Sequence, residues 1–163
     1  MPDTSTATPP QHRRTVQRLN DIGLALPALA APVASYLPAV RTANLIYTSG
    51  QLPLVSGKLA YEGKVGADVS AEDAGDAARV CTLNALAAIA SLADLDSIAR
   101  VVKVVGFVSS ASDFTGQPSV INGASDLLVS VFGDAGQHAR SAVGVAELPL
   151  NAPVEVELIV EVA

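Results

Sequence analysis

The chain has 163 residues, of which 50% are hydrophobic and 16% are charged. This length and composition predict one compact domain with a sizeable core, and they exclude an intrinsically disordered chain. The net charge of −6, the lack of Trp and the presence of only three Tyr and three Phe argue against a nucleic acid partner, because proteins that bind nucleic acids usually carry a basic surface and aromatic side chains that stack on bases.

The N-terminal segment, residues 1–14, is polar and rich in Pro, Ser and Thr. Such a composition is typical of a disordered leader, and we expect residues 15–163 to form a single domain. The first predicted element is a short helix over residues 15–22, which ends before Gly23.

The residues that follow Arg13 and Arg14 weakly resemble a twin-arginine export signal. However, Asp21 and Pro27 interrupt the apolar stretch that such a signal requires. No run in the sequence reaches the ~18 consecutive apolar residues of a membrane-spanning helix. We therefore expect a cytoplasmic protein with no membrane partner.

Hydrophobic periodicity divides the rest of the chain into strands and helices. Ser70 and Asp73 form a typical N-terminal cap for a long helix, and the Val- and Ile-rich stretch 97–109 predicts a strand buried on both faces. The predicted elements are strands over 37–41, 44–49 and 58–62, a helix over 71–92, a strand over 97–109, a helix over 117–132, and strands over 140–147 and 153–162. This order predicts an α+β fold in which two helices pack on one face of a mixed β-sheet.

Cys81 is the only cysteine, and the chain has two histidines. These residues are too few for a disulfide framework or an ordinary zinc site, so we expect no structural metal. The standard dinucleotide and hydrolase motifs are also absent, and we expect no cofactor. Cys81 falls on the apolar side of the predicted helix over 71–92, which favours a role as a small hydrophobic core residue.

Arg140 opens a predicted strand on which Ala142, Gly144 and Ala146 share its side of the sheet. One interpretation is a pocket floor in which the guanidinium binds a carboxylate through two hydrogen bonds. The alternative is an arginine in solvent at the edge of the sheet. The residue pattern alone leaves both interpretations open.

The closing strand alternates apolar residues with Glu155, Glu157 and Glu161. Three carboxylates on one face usually indicate a solvated surface, although one of them could orient a water molecule. His138, two residues before Arg140, has the chemistry of a general base near neutral pH but is also typical of a loop residue after a Gly-rich turn.

Two stretches of the sequence carry recognisable motifs. The stretch from Ser35 to Pro53 contains the element Thr-Ser-Gly-Gln at residues 48–51, and the stretch from Ala139 to Pro149 is followed by Val-Glu-Val at residues 154–156. Both motifs resemble those of the RidA (YjgF/UK114) family. The resemblance extends over about residues 35–163 and implies a chorismate-mutase-like fold, here in a side branch of the family with an N-terminal extension.

The resemblance also assigns roles to particular residues. It implies that Arg140 binds the substrate carboxylate and that Glu155 positions the hydrolytic water. The remaining residues that match the family's pocket are Tyr36, Ser49, Gly50 and Asn122, together with Ala142, which stands where many members have Cys. His138 stands where Pro or Ala is common, so its role is open.

The family pattern further implies a homotrimer with pockets at the subunit interfaces. The expected reaction is hydrolysis of reactive enamines and imines of the 2-aminoacrylate type to 2-oxo acids and ammonia, so the expected ligand is a small 2-imino or 2-oxo acid. Two alternatives stay open at this point: a trimeric protein that binds small carboxylates without turnover, and an endoribonuclease, against which the acidic composition argues.

Overall fold

The computed structural model describes residues 12–31 and 34–163. Most of the predicted leader, residues 1–11, lies outside this part of the chain. Helix α1 (Arg13–Asp21) begins two residues before the predicted start. The helix starts earlier because Asp96, which is distant in the sequence, stabilises its first turn. The carboxylate of Asp96 accepts hydrogen bonds from the backbone N–H groups of Arg14 and Thr15, each at 2.9 Å. The folded domain therefore includes residues 12–14.

The remaining elements follow the predicted order closely. The strands are β1 (Ala39–Thr42), β2 (Leu45–Thr48), β3 (Leu54–Val55), β4 (Lys58–Leu59), β5 (Ile98–Ser109), β6 (Ala139–Val145) and β7 (Val154–Val162), and the long helices are α2 (Ala71–Ala90) and α3 (Gln117–Phe132). The strand predicted over 58–62 shrinks to one arm of the small β3–β4 hairpin. Strand β6 ends at Val145 because that residue pairs with Ser109, the last residue of β5.

Five strands form one mixed sheet in the order β1-β2-β7-β5-β6. The β5–β6 pair is parallel, and the other neighbouring pairs are antiparallel. Strand β6 is therefore an edge strand. Among the described residues, no helix has both the length and the apolar composition needed to cross a membrane.

Helices α2 and α3 cover one face of the sheet, which confirms the predicted α+β arrangement. The covered face buries Val101, Val104 and Val108 of β5 and the alternate residues of β7 from Val154 to Val162. The two helices approach closely at Gly123, where an added Cβ would lie 2.0 Å from the carbonyl oxygen of Gly75. We call this side of the sheet the helix face.

The opposite side of the sheet, which we call the open face, is covered by no helix of the described residues 12–31 and 34–163. Its side chains include Val40, Tyr47 and Val143, which are 52%, 42% and 45% exposed. Strand β5 was predicted to be buried on both faces, but Val105 and Phe107 are only half-buried here. The prediction of burial on both faces was wrong for the single chain, because in the described part of the chain the helices cover only one face of β5.

Candidate functional site

Arg140 lies on the helix face of the edge strand. It pairs with Val104 in the parallel β5–β6 ladder, and Val104 is fully buried beneath the helices. Because paired residues on neighbouring strands point to the same side of a sheet, the Arg140 side chain is directed toward α3. Its Nη1 donates hydrogen bonds to Asn122 Oδ1 at 2.8 Å and to Ser125 Oγ at 3.2 Å. The structure therefore brings Arg140 and Asn122 together.

These two hydrogen bonds determine which N–H groups of the Arg140 guanidinium remain free to bind a ligand. Nη1 has two hydrogens, and Asn122 and Ser125 accept both of them. Nε and Nη2 of Arg140 have no hydrogen-bond partner among residues 12–31 and 34–163. Together they form one edge of the guanidinium plane, with parallel N–H groups that match the two oxygens of a carboxylate. The geometry therefore suits a two-pronged carboxylate clamp.

Ala142 follows Arg140 on the same face of β6 and pairs with Gly106. It packs at the margin of the hydrophobic core. Beyond it, an added Cβ at Gly144 would lie 2.8 Å from Gln117 Nε2 and 3.0 Å from Ser110 Oγ. Side chains of the same chain thus fill the space beside Gly144, and Ala146 lies beyond the end of the strand. The predicted row of small residues is therefore interrupted, and only the surroundings of Ala142 remain as pocket wall.

Glu155 occupies the open face. It pairs with Phe107 of β5, which in turn pairs with the exposed Val143 of β6. Partial burial, together with the negative charge of Glu157, raises the pKa of the Glu155 carboxyl above its usual range. A carboxyl group of this kind exchanges a proton more readily near neutral pH than a solvated glutamate does.

The loop that contains Ser49 and Gly50 is held against β7 beside Glu155. Gln51 and Val156 exchange two backbone hydrogen bonds of 2.8 and 3.0 Å, and Ser49 Oγ donates to the carbonyl oxygen of Leu37 at 2.6 Å. An added Cβ at Gly50 would lie only 1.9 Å from Glu155 Oε1. Gly50 is therefore the residue type that lets the Glu155 carboxyl lie against this loop.

Tyr36 lies before β1 and is 51% exposed. Its backbone N–H donates to the carbonyl oxygen of Ala34 at 2.9 Å. No hydrogen bond joins its side chain to Arg140 or Glu155 within the described part of the chain. The structure thus places Tyr36 at the surface, where it is available to another molecule.

The sequence-predicted residues therefore fall into two groups on opposite faces of one sheet. Arg140, Asn122 and Ala142 belong to the helix face, whereas Glu155 and Gly50 belong to the open face. The bonds from Arg140 to α3 keep its guanidinium on its own side. Within one chain, the two groups do not share a pocket.

Sequence reasoning missed one residue of this site and left another open. Ser125 contacts both Arg140 and His138, whose Nε2 lies 2.9 Å from Ser125 Oγ. Ser125 follows Asn122 by three residues on α3, a spacing that places both on one helix face. That spacing was the signal that could have identified Ser125.

A separate groove of about 570 Å³ lies between residues 25–30, the β3–β4 hairpin and α2. Its described lining contains apolar side chains and the amides of Gln51 and Asn84, but no charged side chain. Such a groove has no cationic side chain in its described lining that could form an ion pair with a carboxylate. We therefore place the candidate site at Arg140 and Glu155.

Two further features concern metal binding and the cysteine. Within residues 12–31 and 34–163, no three His, Cys, Asp or Glu side chains cluster in a way that could hold a metal ion. Cys81 is fully buried in the core, as predicted, and its Sγ lies 3.6 Å from the carbonyl oxygen of Val154. Burial, and then the nearby Glu155 charge, raises the pKa of this thiol well above its usual range.

Comparison with known proteins gives the family. Residues 16–162 match the family model described as "YjgF/chorismate mutase-like, putative endoribonuclease". The chain is 44% identical over 150 residues to Protein TCP17 of Trypanosoma cruzi, which covers 91% of this chain and 94% of that protein.

Two solved structures have the same fold over nearly their full length. The protein Atu1372 of Agrobacterium tumefaciens, of unknown function, is 46% identical with a TM-score of 0.86 and coverage of 93% of this chain and 95% of that one. A structure from Shewanella oneidensis described as "a putative endoribonuclease" is 35% identical with a TM-score of 0.87 and coverage of 91% and 99%. The chain therefore belongs to the YjgF/chorismate-mutase-like family, the RidA (YjgF/UK114) family that its two motifs indicated.

Proposed function

We propose that this protein hydrolyses enamines and imines derived from amino acids, of the 2-aminoacrylate type, to 2-oxo acids and ammonia. The observation that supports this proposal most directly is the geometry of Arg140. Its Nη1 is held by Asn122 and Ser125, and its Nε–Nη2 edge is left for a carboxylate. Small 2-imino acids carry such a carboxylate next to the reacting carbon, so binding at this edge fixes the position of the C=N bond.

The chemistry needs few groups because the imine carbon is already electrophilic. An enamine first takes up a proton from solvent at its terminal carbon and becomes the protonated imine. Water adds to the imine carbon while Glu155 accepts one of its protons, which gives a neutral carbinolamine. Glu155 then returns this proton to the nitrogen, the C–N bond breaks, and the C=O bond of the 2-oxo acid forms as the hydroxyl proton passes to the departing ammonia, which is released as ammonium. The raised pKa of Glu155 suits a group that must both take and return a proton.

The arrangement on opposite faces implies that each pocket needs two chains. We propose that Arg140 of one chain and Glu155 of its neighbour meet in a homotrimer, the assembly that the family resemblance implies. The half-exposed Val40, Tyr47 and Val143 on the open face offer an apolar surface for a second copy. A light-scattering mass of a monomer at micromolar concentration would contradict the shared pocket.

The reaction can be tested with imines generated in situ from several amino acids by an amino acid oxidase. Semicarbazide traps the free imine as a semicarbazone, so an active protein lowers the rate of semicarbazone formation. We expect wild-type protein to lower this rate and Arg140→Ala to have no effect. Arg79→Ala is a matched control, because the one polar contact of the Arg79 side chain with residues 12–31 and 34–163 is a surface ion pair with Asp76, at 3.5 Å. Equal semicarbazone formation with and without wild-type protein would contradict the proposal.

A binding protein for small carboxylates is a second candidate, which the same free edge of Arg140 supports. Binding of pyruvate without any turnover of the imine panel would favour it. The endoribonuclease activity named in the family description has no comparable support in this chain, since its net charge is −6 and phosphate backbones require basic groups.

A further inference from the structure

We infer that Ser125 and His138 form a relay of hydrogen bonds that fixes the orientation of the Arg140 guanidinium. This inference rests on the proposed carboxylate-binding function of Arg140 and adds two positioning residues to it. The three side chains are connected by distances of 3.2 Å from Arg140 Nη1 to Ser125 Oγ and 2.9 Å from Ser125 Oγ to His138 Nε2. His138 Nδ1 lies 2.6 Å from the carbonyl oxygen of Gly136.

The chemistry of the partners determines where the protons lie. A carbonyl oxygen only accepts hydrogen bonds, so His138 Nδ1 must carry a hydrogen that it donates to Gly136. In the neutral imidazole, Nε2 is then an acceptor and receives the hydroxyl hydrogen of Ser125. The lone pairs of Ser125 Oγ are left to accept from Arg140 Nη1. With His138 protonated at Nδ1, each of the three hydrogen bonds has one donor and one acceptor: Arg140 donates to Ser125, Ser125 donates to His138, and His138 donates to Gly136.

The anchor of the relay is rigid. Gly136 belongs to the 3₁₀ turn Gly133–Gly136 and is buried against α3. An added Cβ at Gly136 would lie 2.2 Å from the carbonyl oxygen of Leu128 and 2.9 Å from the Cα of Val129. The turn is therefore packed directly on the helix that also carries Ser125. The Gly-rich turn has a role in this view, because it presents a fixed carbonyl oxygen to His138.

The consequence for Arg140 is loss of rotational freedom. Asn122 and Ser125 hold both hydrogens of Nη1 from one face of α3, so the plane of the guanidinium is set before a ligand arrives. Preorganisation of this kind improves ligand binding because less freedom is lost on association. Ser125 itself is not placed as a nucleophile, because it lies inside α3, where backbone N–H groups bond within the helix and cannot stabilise an oxyanion.

The first test is independent of activity. Long-range nitrogen–proton NMR of isotope-labelled protein at about pH 9, where histidine is ordinarily neutral, should show His138 protonated at Nδ1. A His138 ring protonated at Nε2 would overturn the relay, whatever the protein's activity.

The second test uses variants and measures both imine hydrolysis and the Kd for pyruvate. Ser125→Ala and His138→Leu should each raise KM and the pyruvate Kd about tenfold, because a hydrogen bond to a charged group is weakened or lost. The value of kcat should change less than about twofold, since Arg140 holds the ground state and the transition state alike. Ser119→Ala is the matched control, because the Ser119 side chain, within the described part of the chain, bonds only the carbonyl oxygen of Gly116, the residue that precedes α3.

Conservative variants separate positioning from mere packing. In His138→Gln the side-chain oxygen can accept the Ser125 hydrogen in place of Nε2, and Ser125→Thr keeps the hydroxyl. Both should restore the pyruvate Kd to within about threefold of wild type. An unchanged Kd in Ser125→Ala, or equal Kd values in His138→Gln and His138→Leu, would overturn the inference. If wild-type protein neither bound pyruvate nor hydrolysed imines, the proposed function would fail, and the NMR result would still decide on the relay.

Discussion

Arg140 and Glu155 should complement each other between chains. Arg140→Ala removes the carboxylate clamp and Glu155→Ala removes the proton acceptor, so we expect each variant alone to be inactive. The two residues lie on opposite faces of one sheet, and in a closed ring of three chains each pocket would take Arg140 from one chain and Glu155 from its neighbour. If the variants are refolded together in equal amounts, about one quarter of the pockets combine the two intact residues.

The assay compares two samples of the same composition. In one, the variants are denatured and refolded together, and in the other they are refolded separately and then mixed. We expect the first sample to hydrolyse imine at about one quarter of the rate of wild-type protein refolded in the same way, and the second to stay near zero while subunits do not exchange. The absence of recovery in a sample that contains mixed trimers by native mass spectrometry would refute the assignment of one pocket to two chains.

Four further predictions concern single side chains. Arg140→Lys should lower kcat/KM at least about tenfold, or about 1.4 kcal/mol, because three N–H donors replace five and cannot serve α3 and a two-pronged carboxylate together; Arg79→Lys is the control. Glu155→Gln should lower kcat about 100-fold with little change in the Kd for pyruvate, since an amide holds water but is a poor proton acceptor. Gly50→Ala should also lower kcat while the melting temperature changes little, because the new Cβ displaces only the flexible end of Glu155; wild-type kcat would show that this contact is unimportant. Burial opposes ionisation of Asp96, but hydrogen bonds from Arg14 and Thr15 lower its pKa overall. Its stabilising effect should therefore be present above about pH 4 and be lost as the pH falls below that value, so that the difference in melting temperature between wild type and Asp96→Asn narrows in acid; a constant difference would contradict this.

Most of the fold could be predicted because each main helix or strand buries one side, which gives a periodic pattern of apolar residues in the sequence. Strand β7 alternates buried and half-buried residues from Val154 to Val162 without interruption, as its sequence pattern indicated. Helix α2 begins at Ala71 after the Ser70 cap, whose Oγ accepts the backbone N–H of Asp73 at 3.0 Å. Local patterns of this kind depend on neighbouring residues, which the sequence displays directly.

Elements stabilised from a distance could not be predicted in the same way. Helix α1 is capped by Asp96, and the backbone N–H and the ring of His12 are held by Asp94. Nothing near residues 12–15 in the sequence reveals these partners. The predicted start of the helix was therefore two residues too late.

The site was predictable as a set of residues but not as a geometry. Arg140 and Glu155 each follow a period-two pattern within their own strands. These patterns do not show whether the two side chains lie on the same face of the sheet or on opposite faces. That relation depends on the register between β5, β6 and β7, where Arg140 pairs with Val104 and Glu155 with Phe107. A shift of one residue in either ladder would move a side chain to the other face.

The register therefore carries information about assembly that no single residue carries. With Arg140 and Glu155 on one face, a monomer could hold both ends of a small substrate, and the exposed Val143 beside Phe107 on the open face would have no evident use. Because the two residues lie on opposite faces, the proposed catalytic pocket would form where the edge of one sheet meets the open face of another. In the proposed trimer, a second chain would bring its Arg140 to the open face beside Glu155. This explains why apolar side chains are exposed on the face that carries the Glu155 carboxyl.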